Sequence, residues 1–275
     1  MPTLIFGFMK KFLLAPVFVA FLAAVGCNNN KPDTGNSAPE TPKTPAIAYS
    51  VANTYPHDTT FFTEGLEFYK GKLLESTGNY GKSKLVQYNL VTGKVEREVA
   101  LDAKYFGEGI TVLRDTLYQL TYREGVVHVY DAKDFKKIKE LPYSNGEGWG
   151  LTHDSTFIIG NNSGNSLYYY QPGTFKLVKS LGITENGEPA VNLNELEYIN
   201  GFIYANQWQY NYILKIDPAK GEVVAKMDLS PIVQQEKNQN PNAEVLNGIA
   251  YNPETKKFYV TGKNWSKIYE LQFNL

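Results

Sequence analysis

Glu64-Gly65-Leu66-Glu67-Phe68, a Lys70-Gly71-Lys72 turn, Leu73-Leu74-Glu75-Ser76, Lys84-Leu85-Val86-Gln87-Tyr88-Asn89, a Thr92-Gly93 turn and Lys94-Val95-Glu96-Arg97-Glu98-Val99 read as four short strands in a row. Their apolar residues follow the period of two that a half-buried strand requires, and each run is closed by turn residues. The same unit starts again at Glu108-Gly109-Ile110, Trp149-Gly150-Leu151, Asn194-Glu195-Leu196 and Asn247-Gly248-Ile249. The matching apolar residues Leu66, Ile110, Leu151, Leu196 and Ile249 are separated by 44, 41, 45 and 53 residues. Four short strands repeated at this period are the signature of propeller blades, and the period-two pattern excludes a helical solenoid.

Five copies predict an all-β, five-bladed β-propeller. The last copy holds only three strands, near Gly248 to Asn252, Lys257 to Thr261 and Ile268 to Phe273. A ring must close, so the unassigned strand Ala46 to Asn53 is expected to supply the outer strand of the fifth blade and to remove its open edge. The longer spacing before that blade is taken up by Pro231 to Glu244, a polar segment with some helical character that is expected near one mouth of the central channel.

Upstream of the repeats, Lys10 and Lys11 precede an apolar run from Phe12 to Val25 that stops at Gly26-Cys27, the pattern of an export signal. Small residues followed directly by the only cysteine of the chain resemble a bacterial lipobox, so residues 1–26 are read as a lipoprotein signal peptide and Cys27 as the lipidation site. Residues 27–45 carry almost no large apolar side chain and read as a flexible tether, leaving 46–275 as the propeller domain. These features place the protein in the cell envelope, exported and held to a membrane through its lipid, on the periplasmic face and with outer-membrane delivery preferred. A monomer is expected.

With 27 Lys plus Arg against 28 Asp plus Glu and no basic block, nucleic acid is excluded as a partner. Lipidation of Cys27 would leave neither disulfides nor thiolate chemistry to the domain. His57, His128 and His153 stand in no metal-binding spacing and read as surface or turn residues, so no metal site is expected. Gly107, Gly109, Gly146, Gly148 and Gly150 belong to blade starts, where glycine permits tight turns, and form no phosphate loop.

The repeat also predicts proximity, because equivalent positions of all blades face one channel. Innermost strands start at the end of the ring where second strands finish. Phe62, Glu64, Phe106, Glu108, Trp149, Asn194, Glu195 and Asn247 should therefore converge on one mouth with Glu75, Ser76, Tyr122, Asn161, Trp208 and Lys263. Aromatic walls with a few convergent polar groups make a small-ligand site. A carboxyl and an ammonium buried near an axis point to acid/base chemistry across that mouth.

The segments Phe62-Thr63-Glu64-Gly65-Leu66, Glu75-Ser76-Thr77-Gly78, Tyr105-Phe106-Gly107-Glu108-Gly109, Gly148-Trp149-Gly150-Leu151, Leu193-Asn194-Glu195-Leu196, Asn206-Gln207-Trp208, Leu246-Asn247-Gly248 and Thr261-Gly262-Lys263 resemble, in order, the plant-type glutaminyl-peptide cyclotransferases. That family is metal-independent. The resemblance implies that N-terminal glutamine of peptides or proteins is converted to pyroglutamate with release of ammonia, without metal or organic cofactor. It implies Glu108 as the catalytic acid/base, with Lys263 and Asn194 stabilising the oxyanion or holding the scissile amide. Phe62, Glu64, Phe106, Tyr122, Trp149 and Trp208 would bind substrate. Glu64 stands where plant members carry glutamine, and Tyr122 where they carry tryptophan. The competing reading is a non-catalytic propeller lipoprotein that captures peptides or glycans; a lactone or sugar hydrolase would need a metal-binding ring built from Glu64, Glu75, Glu108 and Glu195.

Overall fold

The computed structural model describes residues 43–274. The expected signal peptide, Cys27 and most of the tether lie outside the described residues. Among those described, no helix is long and apolar enough to cross a membrane.

Five sheets stand in a ring, one per sequence repeat, each built on four antiparallel strands. Strand β1 is Ser50–Pro56. Blade one is β2 (Thr63–Tyr69), β3 (Lys72–Thr77), β4 (Lys84–Tyr88) and β5 (Val95–Ala100). Blade two is β6 (Gly107–Leu113), β7 (Thr116–Thr121), β8 (Val126–Asp131) and β9 (Lys137–Pro142). Blade three is β10 (Leu151–His153), β11 (Ile158–Asn161), β12 (Ser166–Gln171) and β13 (Lys176–Gly182). A small hairpin, β14 (Thr184–Glu185) and β15 (Glu188–Pro189), leads into blade four, β16 (Leu193–Ile199), β17 (Phe202–Gln207), β18 (Tyr212–Asp217) and β19 (Glu222–Asp228), and extends its outer edge. Helix α1 (Ser230–Gln239) precedes blade five, β20 (Leu246–Asn252), β21 (Lys257–Gly262) and β22 (Lys267–Gln272).

The ring closes as the sequence predicts, with β1 as the outermost strand of blade five, antiparallel to β22. The closing strand lies at Ser50–Pro56 rather than Ala46 to Asn53, and Asn53 faces Glu270 in its register. The ordered chain also reaches back into the stretch read as tether. Thr44 is buried and donates its hydroxyl to Glu185, and Lys226 N–H donates to the carbonyl of Pro45. The helical character expected between Pro231 and Glu244 is α1, which begins with Pro231 in its first turn and buries Ile232 and Val233.

Apolar side chains collect between the blades. One cluster joins blades five and one (Leu66, Tyr88, Tyr259, Ile268), and others join one to two (Leu74, Ile110, Phe135), two to three (Leu120, Leu151, Phe175), three to four (Ile159, Leu196, Leu214) and four to five (Tyr204, Phe258, Trp265). Each blade is thus glued only to its two neighbours. Their innermost strands are held close enough around the axis that opposite side chains can meet.

Candidate active site

Local irregularity in the inner strands aims the site residues. The pairing of β2 with β3 slips between Thr63 and Gly65, that of β6 with β7 between Gly107 and Ile110, that of β16 with β17 between Leu193 and Leu196, and that of β20 with β21 between Leu246 and Ile249. Such bulges turn a side chain out of the regular alternation. Glu64, Glu108, Asn194 and Asn247 sit in these four slips.

Glycine follows the site residue in most blades for a reason other than turning. A Cβ on Gly109 would lie 2.5 Å from the carbonyl oxygen of Trp149, and one on Gly150 would lie 1.9 Å from that of Asn194. Neither glycine has positive φ, so what they supply is space for the backbone of the next blade, in place of the tight turns expected from the sequence. In blade four the same position is Glu195, whose carboxylate crosses the channel and accepts hydrogen bonds from the N–H groups of Leu66 (3.1 Å) and Ile249 (2.7 Å).

All nine residues proposed for catalysis and substrate binding line one pocket of about 300 Å³: Phe62, Glu64, Phe106, Glu108, Tyr122, Trp149, Asn194, Trp208 and Lys263. Trp149 and Trp208 meet edge to face with ring centroids 5.5 Å apart, and Phe106 contacts Phe62 at 6.1 Å and Tyr122 at 5.7 Å. Phe106 lies so close over Gly78 that a Cβ there would come within 2.4 Å of its ring, which explains the glycine after Glu75-Ser76-Thr77. Tyr122 is overlain by the Arg123 guanidinium, which is paired with Glu147 at 2.6 Å.

The charges are arranged differently from the simple face-to-face pair expected of Glu108 and Lys263. The Lys263 ammonium donates to Glu64 Oε1 at 2.7 Å and rests over the Phe62 ring at 4.4 Å. Glu108 lines the same pocket, where the charges of Glu64 and Lys263 both act on it. Burial pushes the Glu108 carboxyl well above its ordinary range, and the neighbouring charge of Glu64 pushes it further. Burial also raises Glu64, against the pull of Lys263. Asn194 is buried with its Oδ1 unpartnered, an acceptor left for a bound N–H.

Several residues expected at this mouth are elsewhere in function. Glu75 is fully buried behind the site, where it accepts from Thr63, Tyr88 and the His57 ring. Ser76 accepts from Gln119, and Asn161 donates to the carbonyl of Asn194 and accepts from Gly150 N–H. Asn247 lies beneath the pocket floor, donating to the Thr63 carbonyl and to Glu64. His57 and His128 are buried rather than exposed, because each packs among tyrosines between strands; His153 is half-buried. Opposing burial, Glu75 raises the His57 pKa above its ordinary value. The pocket also includes Gln209, Glu244 and Val245. Gln209 follows directly on Trp208, and Glu244 and Val245 end the link into blade five, so the repeat register gave no signal for them.

This set of bulge-aimed residues can be set beside known proteins. Residues 19–273 match the model of the family described as glutamine cyclotransferase. The chain is 37% identical over 225 residues to a glutaminyl-peptide cyclotransferase of Arabidopsis thaliana, covering 81% of this chain and 70% of that protein. Its fold matches the crystal structure of the Myxococcus xanthus glutaminyl cyclase with a TM-score of 0.79 at 34% identity, over 84% of this chain and 99% of the other. The chain belongs to the glutamine cyclotransferase family.

Proposed function

We propose that this protein is a glutaminyl-peptide cyclotransferase, and that Glu108 is its proton-transferring residue. The observation that carries the reading is a buried carboxyl, Glu108, set in one pocket with the Glu64–Lys263 ion pair and walled by Trp149, Trp208, Phe62 and Phe106. The reaction closes a ring within one substrate molecule: the α-amine attacks the side-chain amide carbon and ammonia leaves. Aromatic walls that fold the glutamine side chain toward its own amine remove much of the entropic barrier. Trp149, Trp208 and Phe106 take that role, and Phe62 and Tyr122 complete the wall.

Departing ammonia needs a proton at its nitrogen, which Glu108 supplies, and the carboxylate so formed takes the proton that the attacking amine sheds, a contribution on the order of 10²- to 10⁴-fold. An ammonium has three donors, and Lys263 spends one on Glu64. The others serve the amide oxygen as it becomes negative, a type of contact worth roughly 10²- to 10³-fold. Asn194 receives the scissile amide's N–H at its open Oδ1. These side chains offer a route for proton transfer and charge stabilisation, so turnover is expected to persist in chelator. A capture module for peptides or glycans is not favoured, since capture has no use for buried carboxyls set beside an ammonium.

The test is mass spectrometry of a Gln-initiated peptide incubated with the protein and a chelator. Loss of one ammonia is expected, and Glu108→Gln should abolish it while largely sparing peptide binding. A peptide unchanged across the pH range defeats the reading. The signal-like segment and Cys27 support an exported, lipid-anchored protein that acts on envelope peptides. Metabolic labelling with a tagged fatty acid should mark the wild type and not Cys27→Ala.

A further inference from the structure

Of the three pocket residues that the blade register did not place, Gln209, Glu244 and Val245, one carries a charge. The Glu244 side chain is exposed, yet its main chain is tied down. Its N–H donates to the Lys263 carbonyl at 2.8 Å, and the Lys263 N–H donates to the Val245 carbonyl at 3.0 Å. The indole N–H of Trp265, a fully buried residue, donates to the Glu244 carbonyl at 3.1 Å. Just before it, Ala243 is buried and donates its N–H to Asn240, whose side chain in turn holds the Asn264 carbonyl. The link from α1 into blade five is thus bound to the Lys263 turn along its length, and residue 244 is held at the wall of the pocket.

The other charged groups around this mouth already have partners. Lys263 gives its ammonium to Glu64 at 2.7 Å and not to Glu244. Glu147 is paired with Arg123 at 2.6 Å and accepts the Trp149 indole N–H at 3.3 Å. Glu124 accepts the Tyr80 hydroxyl at 2.8 Å. Among the described residues, no cation or hydrogen-bond donor meets the Glu244 carboxylate, which stands as an uncompensated negative charge on the wall of a cavity. The cavity is marked independently as a place where a ligand binds, since the buried Oδ1 of Asn194 is left open in it.

We propose that Glu244 reads the residue that follows the N-terminal glutamine, favouring Lys or Arg there and disfavouring Asp or Glu. The inference rests on the proposed cyclotransferase reading. In that reaction the glutamine takes up the interior of the pocket, against the aromatic walls, Lys263 and Asn194, and the rest of the peptide must leave through the mouth. Its second side chain then meets the exposed part of the lining, where Gln209 and Glu244 stand and only Glu244 is charged. A basic side chain suits this place twice over: its aliphatic stem can lie along half-buried Val245 while its charged tip reaches the carboxylate. An acidic side chain meets a like charge with no cation free to offset it. Specificity here is a difference between two affinities, attraction of one substrate and repulsion of the other. Because the carboxylate is exposed, the effect is modest for each pair and is screened by salt.

The experiment compares kcat/KM for otherwise identical peptides that begin Gln-Lys, Gln-Ala and Gln-Glu. Wild type should prefer Gln-Lys over Gln-Glu by about 3- to 20-fold at about 0.02 M salt, with Gln-Ala between them and most of the difference in KM. Glu244→Gln should bring the Lys-to-Glu ratio down to about one, and Glu244→Lys should invert it. The ratio is the readout, so a general loss of activity in a variant cancels. A ratio that stays at the wild-type value in Glu244→Gln assigns the preference to another group and overturns the role of Glu244. The wild type alone gives a second check that needs no variant to fold: its preference should shrink toward one as salt rises to about 0.5 M. A wild-type ratio of about one at low salt, or a preference that salt leaves unchanged, overturns the inference while leaving the cyclotransferase reading intact. Absence of turnover on all of the peptides overturns that reading, and the inference with it.

Discussion

Two groups of buried glutamates lie along the same channel and do different things. At the mouth, Glu64 and Glu108 line one cavity with the Lys263 ammonium, which donates to Glu64. Farther along the ring, Glu67, Glu195 and Glu197 accept hydrogen bonds from main-chain amides of other blades: Val112, Leu66 with Ile249, and Tyr251 respectively. Burial raises the pKa of every one of these five carboxyls. A shifted carboxyl therefore does not by itself mark a site. Partners decide: a mobile proton and an open cavity make chemistry, whereas fixed amides make a staple between strands that have no ladder of their own.

The contrast predicts opposite outcomes for matched substitutions. Glu108→Gln should lower turnover by about 10²- to 10⁴-fold and leave urea unfolding unchanged or shifted to slightly higher urea. Glu195→Ala should do the reverse, with near-normal turnover per folded molecule and a stability loss of about 2 to 6 kcal/mol from two amides left without partners. Loss of activity without loss of stability in the second variant would erase the distinction. Gly150→Ala joins the two groups, since its methyl must displace the Asn194 carbonyl. It should cost about 1–3 kcal/mol and reduce kcat/KM together with stability.

The smallest effect concerns pH. Burial raises Glu67 from 4.5 to about 8, so the folded state binds this proton more tightly than the unfolded chain does. Stability from this group is therefore complete below the unfolded value and declines as pH rises toward the folded one. Glu195 and Glu197 carry the same sign. Urea midpoints should fall between about pH 5 and about pH 8, and Glu67→Gln should flatten part of that slope. A slope identical to wild type would show that Glu67 contributes nothing to it.

The blade count, the swapped strand and nine pocket residues were legible in the sequence for one reason: in a ring, the register of a repeat is also a map of neighbours. Where the repeat is broken, the map fails. Glu244 and Val245 come from the link after α1, and the β14–β15 hairpin is an insertion with no counterpart in other blades. Register also says nothing about which way a bulge turns a side chain. Glu75 and Glu64 both sit at blade-one positions near the mouth, yet Glu75 turns back to His57 and Tyr88 while Glu64 enters the pocket. The choice of Glu64 as the partner of Lys263 needed coordinates, because it depends on ångström distances that no spacing encodes.

The pairing of β1 with β22 also dictates when this molecule can become whole. Tyr55 must wait for Ile268, and Ser50 for Gln272, more than two hundred residues later in synthesis. Contacts so remote in the chain are slow to form, and until they do the edge of β22 stays unpaired. An emerging chain can therefore assemble its early blades one by one but cannot seal the circle before β22 is free. A strand made late locks one made more than two hundred residues earlier.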